Sequence, residues 1–237
     1  MNQRNKQQSG FTLVEIAIVL VIIGLLLGGV LKGQELINSA KVKSMVNDFR
    51  TVSSLVYAYQ DRFRFLPGDQ TQAQLDASFG AGIATACNPA AAGLCAQNNG
   101  RIDGNWNDGG AGTGVVTSEA SLFWQHVRAA NLATGSTVVG NADYRPRNAD
   151  GGFIGVESGI NNLGNAAPYI QGMRGSFFVC SAGILGRYAR QIDIIMDDGN
   201  TGTGSVQALR DGSARGTAPE PLANVVDGVQ YTVCAAY

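Results

Sequence analysis

Residues 10–31 read GFTLVEIAIVLVIIGLLLGGVL, and the reading of this stretch decides the rest. After Gly10 it is almost continuously apolar and carries one charge, Glu15. At about 1.5 Å per residue, a helix of this length reaches about 30 Å, the hydrocarbon thickness of a bilayer. Leu, Ile and Val fall on every face. A helix apolar all round must be buried in lipid or among other helices. Left in water it would cost on the order of tens of kcal/mol, at about 25 cal/mol per Å² of apolar area. A carboxylate near the bilayer centre costs about 3 kcal/mol, so Glu15 calls for a partner or a task.

The ten residues before Phe11, MNQRNKQQSG, are polar and basic and end in glycine. Phe11, Thr12, Leu13, Val14 and Glu15 follow directly. No small-x-small cleavage site follows the apolar run, so an ordinary secretory signal is not indicated. The segment resembles the N-terminus of type IV prepilins and of the related pseudopilins of type II secretion. The resemblance is strong over the first seventy or so residues and looser beyond. It implies that a membrane-bound prepilin peptidase cuts between Gly10 and Phe11 and methylates the new amine of Phe11. It implies that the leader is cytoplasmic and the remainder lies outside the inner membrane until assembly, when the subunit becomes part of an extracellular pilus. The helix is then first a membrane anchor and later the core of a filament. The resemblance also pairs Glu15 with the Phe11 amine of a neighbouring subunit. The expected partners are copies of this chain and other pilins, the prepilin peptidase, an inner-membrane assembly platform with a separate cytoplasmic ATPase, and the membrane itself.

Many type IV pilins carry a helix-breaking proline just after the apolar segment. This chain has none before Pro67, which puts the usual kink in doubt. Gly24, Gly28 and Gly29 interrupt the helix instead, each costing about 1 kcal/mol relative to alanine unless close packing or bending uses it. From Gln34 the pattern turns amphipathic. Leu36, Ile37, Ala40, Met45, Phe49, Val52, Leu55, Val56, Tyr59 and Phe63 form one stripe on a helix continuing to about Phe65. Leu66-Pro67-Gly68-Asp69 stops it. The expected organisation is a leader at 1–10, a transmembrane or filament-core helix at 11–33, an amphipathic spine helix at 34–66 and a globular head at 67–237.

The 237-residue chain has a net charge of −1, which implies no general attraction to nucleic acid. All four lysines lie within the first 43 residues. Cys87, Cys95, Cys180 and Cys234 follow the apolar segment, and an even count in an exported domain reads as two disulfides. Four cysteines allow three connectivities, and sequence alone leaves the choice open. The pairing adopted joins Cys87 to Cys95 around a short Gly/Ala-rich loop and Cys180 to Cys234 between two predicted strands.

Within the head, residues 70–118 read as mostly loop. Ser118 is placed to cap a helix over 119–130, with Leu122, Phe123, Val127 and Ala130 inward and Trp124 at its edge. Strands are predicted at 152–157, 176–182, 205–209 and 228–235. A helix is predicted from the spacing of Ile184, Leu185, Tyr188, Ile192, Ile195 and Met196, with Gly199 as its stop. The fold class is therefore α+β: a long N-terminal helix packed on an antiparallel sheet of about four strands, as in type IV pilins.

Chemistry-bearing clusters are few. Asp103, Asn105 and Asn107 alternate oxygen-bearing side chains, but the stretch lacks the glycine and the downstream glutamate of an EF-hand loop, and a turn is the plainer reading. Asp193, Asp197 and Asp198 crowd the end of the last helix, either as a cation site or as a solvated helix end. His126, the sole histidine, reads as structural. There is no HExxH, GxSxG or GxxxxGK, and no cofactor or catalytic residue is expected. Three functions stand: a pilus subunit serving adhesion, motility or DNA uptake; a type II secretion pseudopilin; and a membrane-anchored periplasmic enzyme or binding domain.

Overall fold

A computed structural model describes residues 13–90, 94–109, 118–159 and 168–237. Helix α1 runs Leu13–Phe63, followed by α2 (Gln72–Phe79), α3 (Glu119–Ala129), β1 (Ile154–Glu157), β2 (Phe178–Leu185), α4 (Gly186–Met196), β3 (Val206–Arg210), a 3-10 turn at Leu222–Asn224, and β4 (Gln230–Ala236). Contacts divide the chain after Ala40 into two compact units. The first contains the apolar part of α1. The second, Lys41–Tyr237, contains everything else, including the last turns of α1.

The four strands form one antiparallel sheet in the order β1-β2-β4-β3. The C-terminal strand therefore sits inside the sheet, between β2 and β3. Alternation along each strand sorts the side chains by face. Val179, Ile184, Val206, Ala208, Tyr231 and Val233 join Val46, Phe49, Val52 and Val56 of α1 in the main core. Phe178, Cys180, Leu209 and Cys234 point to the other face, where Trp106, Tyr169, Ile170 and Met173 cover them. The sheet is thus buried on both sides: by α1, α3 and α4 on one and by irregular chain on the other.

The last turns of α1 pack as the stripe predicts from Met45 onward, with Met45, Phe49, Val56 and Tyr59 almost inaccessible, and Val42 and Val46, outside the predicted stripe, are buried beside them. Leu36 and Ile37, assigned to the same stripe, are exposed, because they precede the compact head. The helix ends at Phe63 rather than Phe65: Arg64 is left-handed at φ 66°, and its N–H caps the Gln60 carbonyl. Gly68 then takes φ 103°, and a Cβ there would fall 2.5 Å from the Glu119 carbonyl oxygen, so only glycine fits.

The structure differs from expectation at three points. The largely irregular 70–118 region holds one helix that the sequence reading did not place, α2, started by the reciprocal capping box of Thr71 and Gln74. Ile184 and Leu185 belong to β2, pairing with Tyr231 and Gln230 beyond a bulge after Ser181, and α4 starts only at Gly186. Trp124 is not at an edge. It is buried in the main core and stands edge-on to Phe123. Helix α3 is buried over nearly its whole surface, and Leu122 packs with the Cys87–Cys95 disulfide.

Candidate functional site

The first candidate is the N-terminal part of α1. Fourteen large apolar side chains between Leu13 and Leu31 are exposed among the described residues. The helix is long and apolar enough to cross a membrane by length and composition. Gly24, Gly28, Gly29 and Gly33 face open space, where an added Cβ meets nothing within 4 Å. Nothing among the described residues therefore requires glycine at these positions. Glu15 lies in the first turn of α1, the end where negative charge is favoured. Gly10 and Phe11 lie outside the described residues, as does the expected pairing of Glu15 with a Phe11 amine.

Residues 5–31 match the family described as "Prokaryotic N-terminal methylation motif". The chain carries the leader signal of type IV pilins and pseudopilins. No curated protein and no solved structure matched the chain. The motif implies processing by prepilin peptidase and assembly between pilin-type subunits, and with the fold it points to a structural subunit. It also fits a membrane-anchored precursor.

In the head, the four cysteines form two bonds, Cys87–Cys95 and Cys180–Cys234. The second joins residues placed directly opposite each other on neighbouring strands, so sheet register has already brought their backbones together. A cluster of Cys87, Cys95 and Glu119 is no metal site, since both sulfurs are spent in the disulfide.

His126 has both ring nitrogens occupied. Nδ1 accepts the Gly68 N–H and Nε2 donates to the Thr85 carbonyl, each at 2.9 Å. Burial pushes its pKa down to about 4, so it is a neutral strut tying α3 to the two loops beside it. Glu119 organises the same region. Its carboxylate accepts the N–H groups of Asp103 at 2.8 Å and Ala96 at 2.9 Å, and burial pushes its pKa up to about 8. Asp69 accepts the N–H groups of Asn99 and Gly100. Asp103 is buried and accepts from the Asn99 amide, while Asn105 and Asp108 close an ordinary turn. The 103–108 stretch is thus held both by its own turn and by long-range hydrogen bonds to Glu119 and Glu157.

Glu157 and Arg215 form an ion pair of 2.7 Å that no local pattern signals, since 58 residues separate them. Glu157 is fully buried and also accepts the N–H groups of Trp106 and Tyr169, anchoring two covering loops to the edge strand. Near α1, Asp48 has its pKa pushed up to about 6 by burial. It lines a groove with Trp124, Arg128 and Arg147, and that lining contains no second carboxylate, histidine or cysteine to act with it.

Asp193, Asp197 and Asp198 converge at the end of α4. Asp193 has its pKa pushed up to about 7, first by burial and then by the charges of Asp198 and Asp197.

Proposed function

We propose that this chain is a structural subunit of a type IV pilus filament. The observation that carries the reading is the joint occurrence of the methylation motif at residues 5–31 and an apolar helix whose side chains the fold leaves exposed. Such a helix is stable in lipid, and it is stable among copies of itself, but not in water. Membrane residence and polymerisation are alternative solutions to one problem. In this reading residues 1–10 are removed, Phe11 is methylated, 11–33 form the core helix, 34–66 the spine and 67–237 the surface head.

Glu15 supplies register. A carboxylate in an apolar filament core needs a cation, and the methylated amine of Phe11 on a neighbouring subunit provides one. The two disulfides suit a head that works outside the cell. They favour a surface pilus serving adhesion, motility or DNA uptake. A second reading, a pseudopilin of type II secretion, is favoured by the absence of proline before Pro67 in α1.

The test is deletion of the chain followed by two measurements, surface filaments by electron microscopy and secreted protein in the medium. A pilus subunit predicts lost filaments with secretion intact, and a pseudopilin predicts the reverse. Complementation with Glu15→Val is expected to leave the chain in the membrane without filaments. Normal filaments from that variant would refute the Glu15–Phe11 pairing.

A further inference from the structure

We propose that the end of α4 binds a divalent cation of the calcium type on Asp193, Asp197 and Asp198. Carboxylate oxygens from the three residues lie within 4.8 Å of one another. Oxygens sharing one Ca²⁺ at about 2.4 Å lie no more than about 4.8 Å apart, a condition that the three carboxylates meet. The donors are all hard oxygens, which selects against thiophilic and imidazole-seeking metals. Mg²⁺, with shorter bonds of about 2.1 Å and near-ideal octahedral demands, is less suited than Ca²⁺ to a cluster of protein carboxylates.

An acidic cluster at a helix end is ordinarily just a solvated surface. Asp193 is what sets this one apart. It is 0% exposed, and neither of its carboxylate oxygens has a hydrogen-bond donor among the described residues. Other buried acids of the head are supplied. Glu119 takes two backbone N–H groups, and Glu157 takes two more plus the Arg215 guanidinium. Asp193 instead shares its space with two further carboxylates, and it lies in the last turn of α4, whose carbonyl end adds partial negative charge. The ion pairs among the described residues do not include any of the three, and Arg190, on the same helix, is engaged by Asp227. Burying such a charge without a partner is strongly unfavourable, and a cation at the convergence point removes the penalty.

The chain around the cluster is built to hold it. Asp197 Oδ2 accepts the Val206 N–H at 3.0 Å, while Asp198 accepts from the Asn200 N–H at 2.8 Å and the Thr203 hydroxyl at 2.9 Å. A Cβ on Gly204 would fall 1.9 Å from Asp197 Oδ2, so the loop closes this tightly only with glycine there. Bound cation would therefore tie α4 to the loop entering β3 and stiffen that part of the head.

The experiment uses the full chain in detergent micelles, stripped with EGTA and melted with and without CaCl₂ or MgCl₂. Calcium at about 100-fold over its dissociation constant is expected to raise the melting midpoint by about 5–10 °C, with a smaller rise from magnesium. Asp193→Asn and, on the exposed side, Asp198→Asn are each expected to lose the calcium response. Asp193→Asn should also melt no lower than the stripped wild type, since it removes an unpaired buried charge. No calcium-dependent shift in the wild type, an equal shift with magnesium, or a shift retained in both variants would overturn the proposal.

Discussion

Replacing Arg215 with methionine removes the cationic half of a buried ion pair and leaves Glu157 behind. Glu157 is 0% exposed, and the Arg215 side chain is 11% exposed, so water cannot restore what the guanidinium supplied at 2.7 Å. Breaking a buried pair from one side costs about 3–5 kcal/mol. The two backbone N–H groups from Trp106 and Tyr169 stay in place, which puts the expected loss at the lower end of that range, about 3 kcal/mol at neutral pH. The loss must depend on pH. Burial already holds the Glu157 carboxyl above the usual range, with Arg215 pulling the other way. Without Arg215 its folded-state pKa rises further. An acid whose folded pKa is raised gives up stability as pH climbs from its unfolded value toward its folded one. The difference between wild type and Arg215→Met is therefore smallest near pH 4, where Glu157 is protonated in both, and grows toward neutrality. Urea unfolding of the full chain in detergent, followed by tryptophan fluorescence at pH 4, 5.5 and 7, measures it. Glu157→Gln combined with Arg215→Met should recover part of the loss at pH 7. A difference below about 1 kcal/mol at pH 7, or one that does not change with pH, would refute the reasoning.

Removing Cys180–Cys234, which closes a 54-residue separation, is expected to cost about 4 kcal/mol in urea unfolding, against about 2.5 kcal/mol for Cys87–Cys95 with a separation of 8. The His126 pKa is held near 4 in the folded chain against about 6.5 when unfolded, so its contribution is present above pH 6.5 and lost as pH falls toward 4. His126→Gln should flatten the stability profile over that window by up to about 3 kcal/mol, leaving the slope at higher pH unchanged. Gly28→Ala meets nothing among the described residues and should raise helix stability by about 1 kcal/mol, so a fall in filament yield with normal membrane levels would show that neighbouring helices pack closely at Gly28.

The parts of this chain that were legible in sequence are those governed by local pattern. The apolar run, the stripe from Met45 to Tyr59 and the Ser118 cap each follow from spacing or from one side chain reaching its own helix. The failures have physical causes. Helix α2 buries only Leu75, so its apolar signal is weak, although Thr71 and Gln74 carried the capping box that marks its start. Ile184 sits at helical spacing from Tyr188 and Ile192, but the bulge beyond Ser181 resets the alternation of β2 and carries the strand to Leu185. The Glu157–Arg215 pair and the reach of Glu119 to Ala96 and Asp103 join distant segments. Only the fold brings those groups together. The convergence of Asp193 with Asp197 and Asp198 was visible as spacing, whereas the burial of Asp193 was not.

The central claim is that the apolar helix, freed of its leader, is the assembly element of a surface filament. Intact mass spectrometry of filaments sheared from cells tests it most directly. The expected species is this chain as the dominant component, beginning at Phe11, heavier by one methyl and lighter by four hydrogens for two disulfides. Filaments that form while this chain stays in the membrane with residues 1–10 still attached would contradict it.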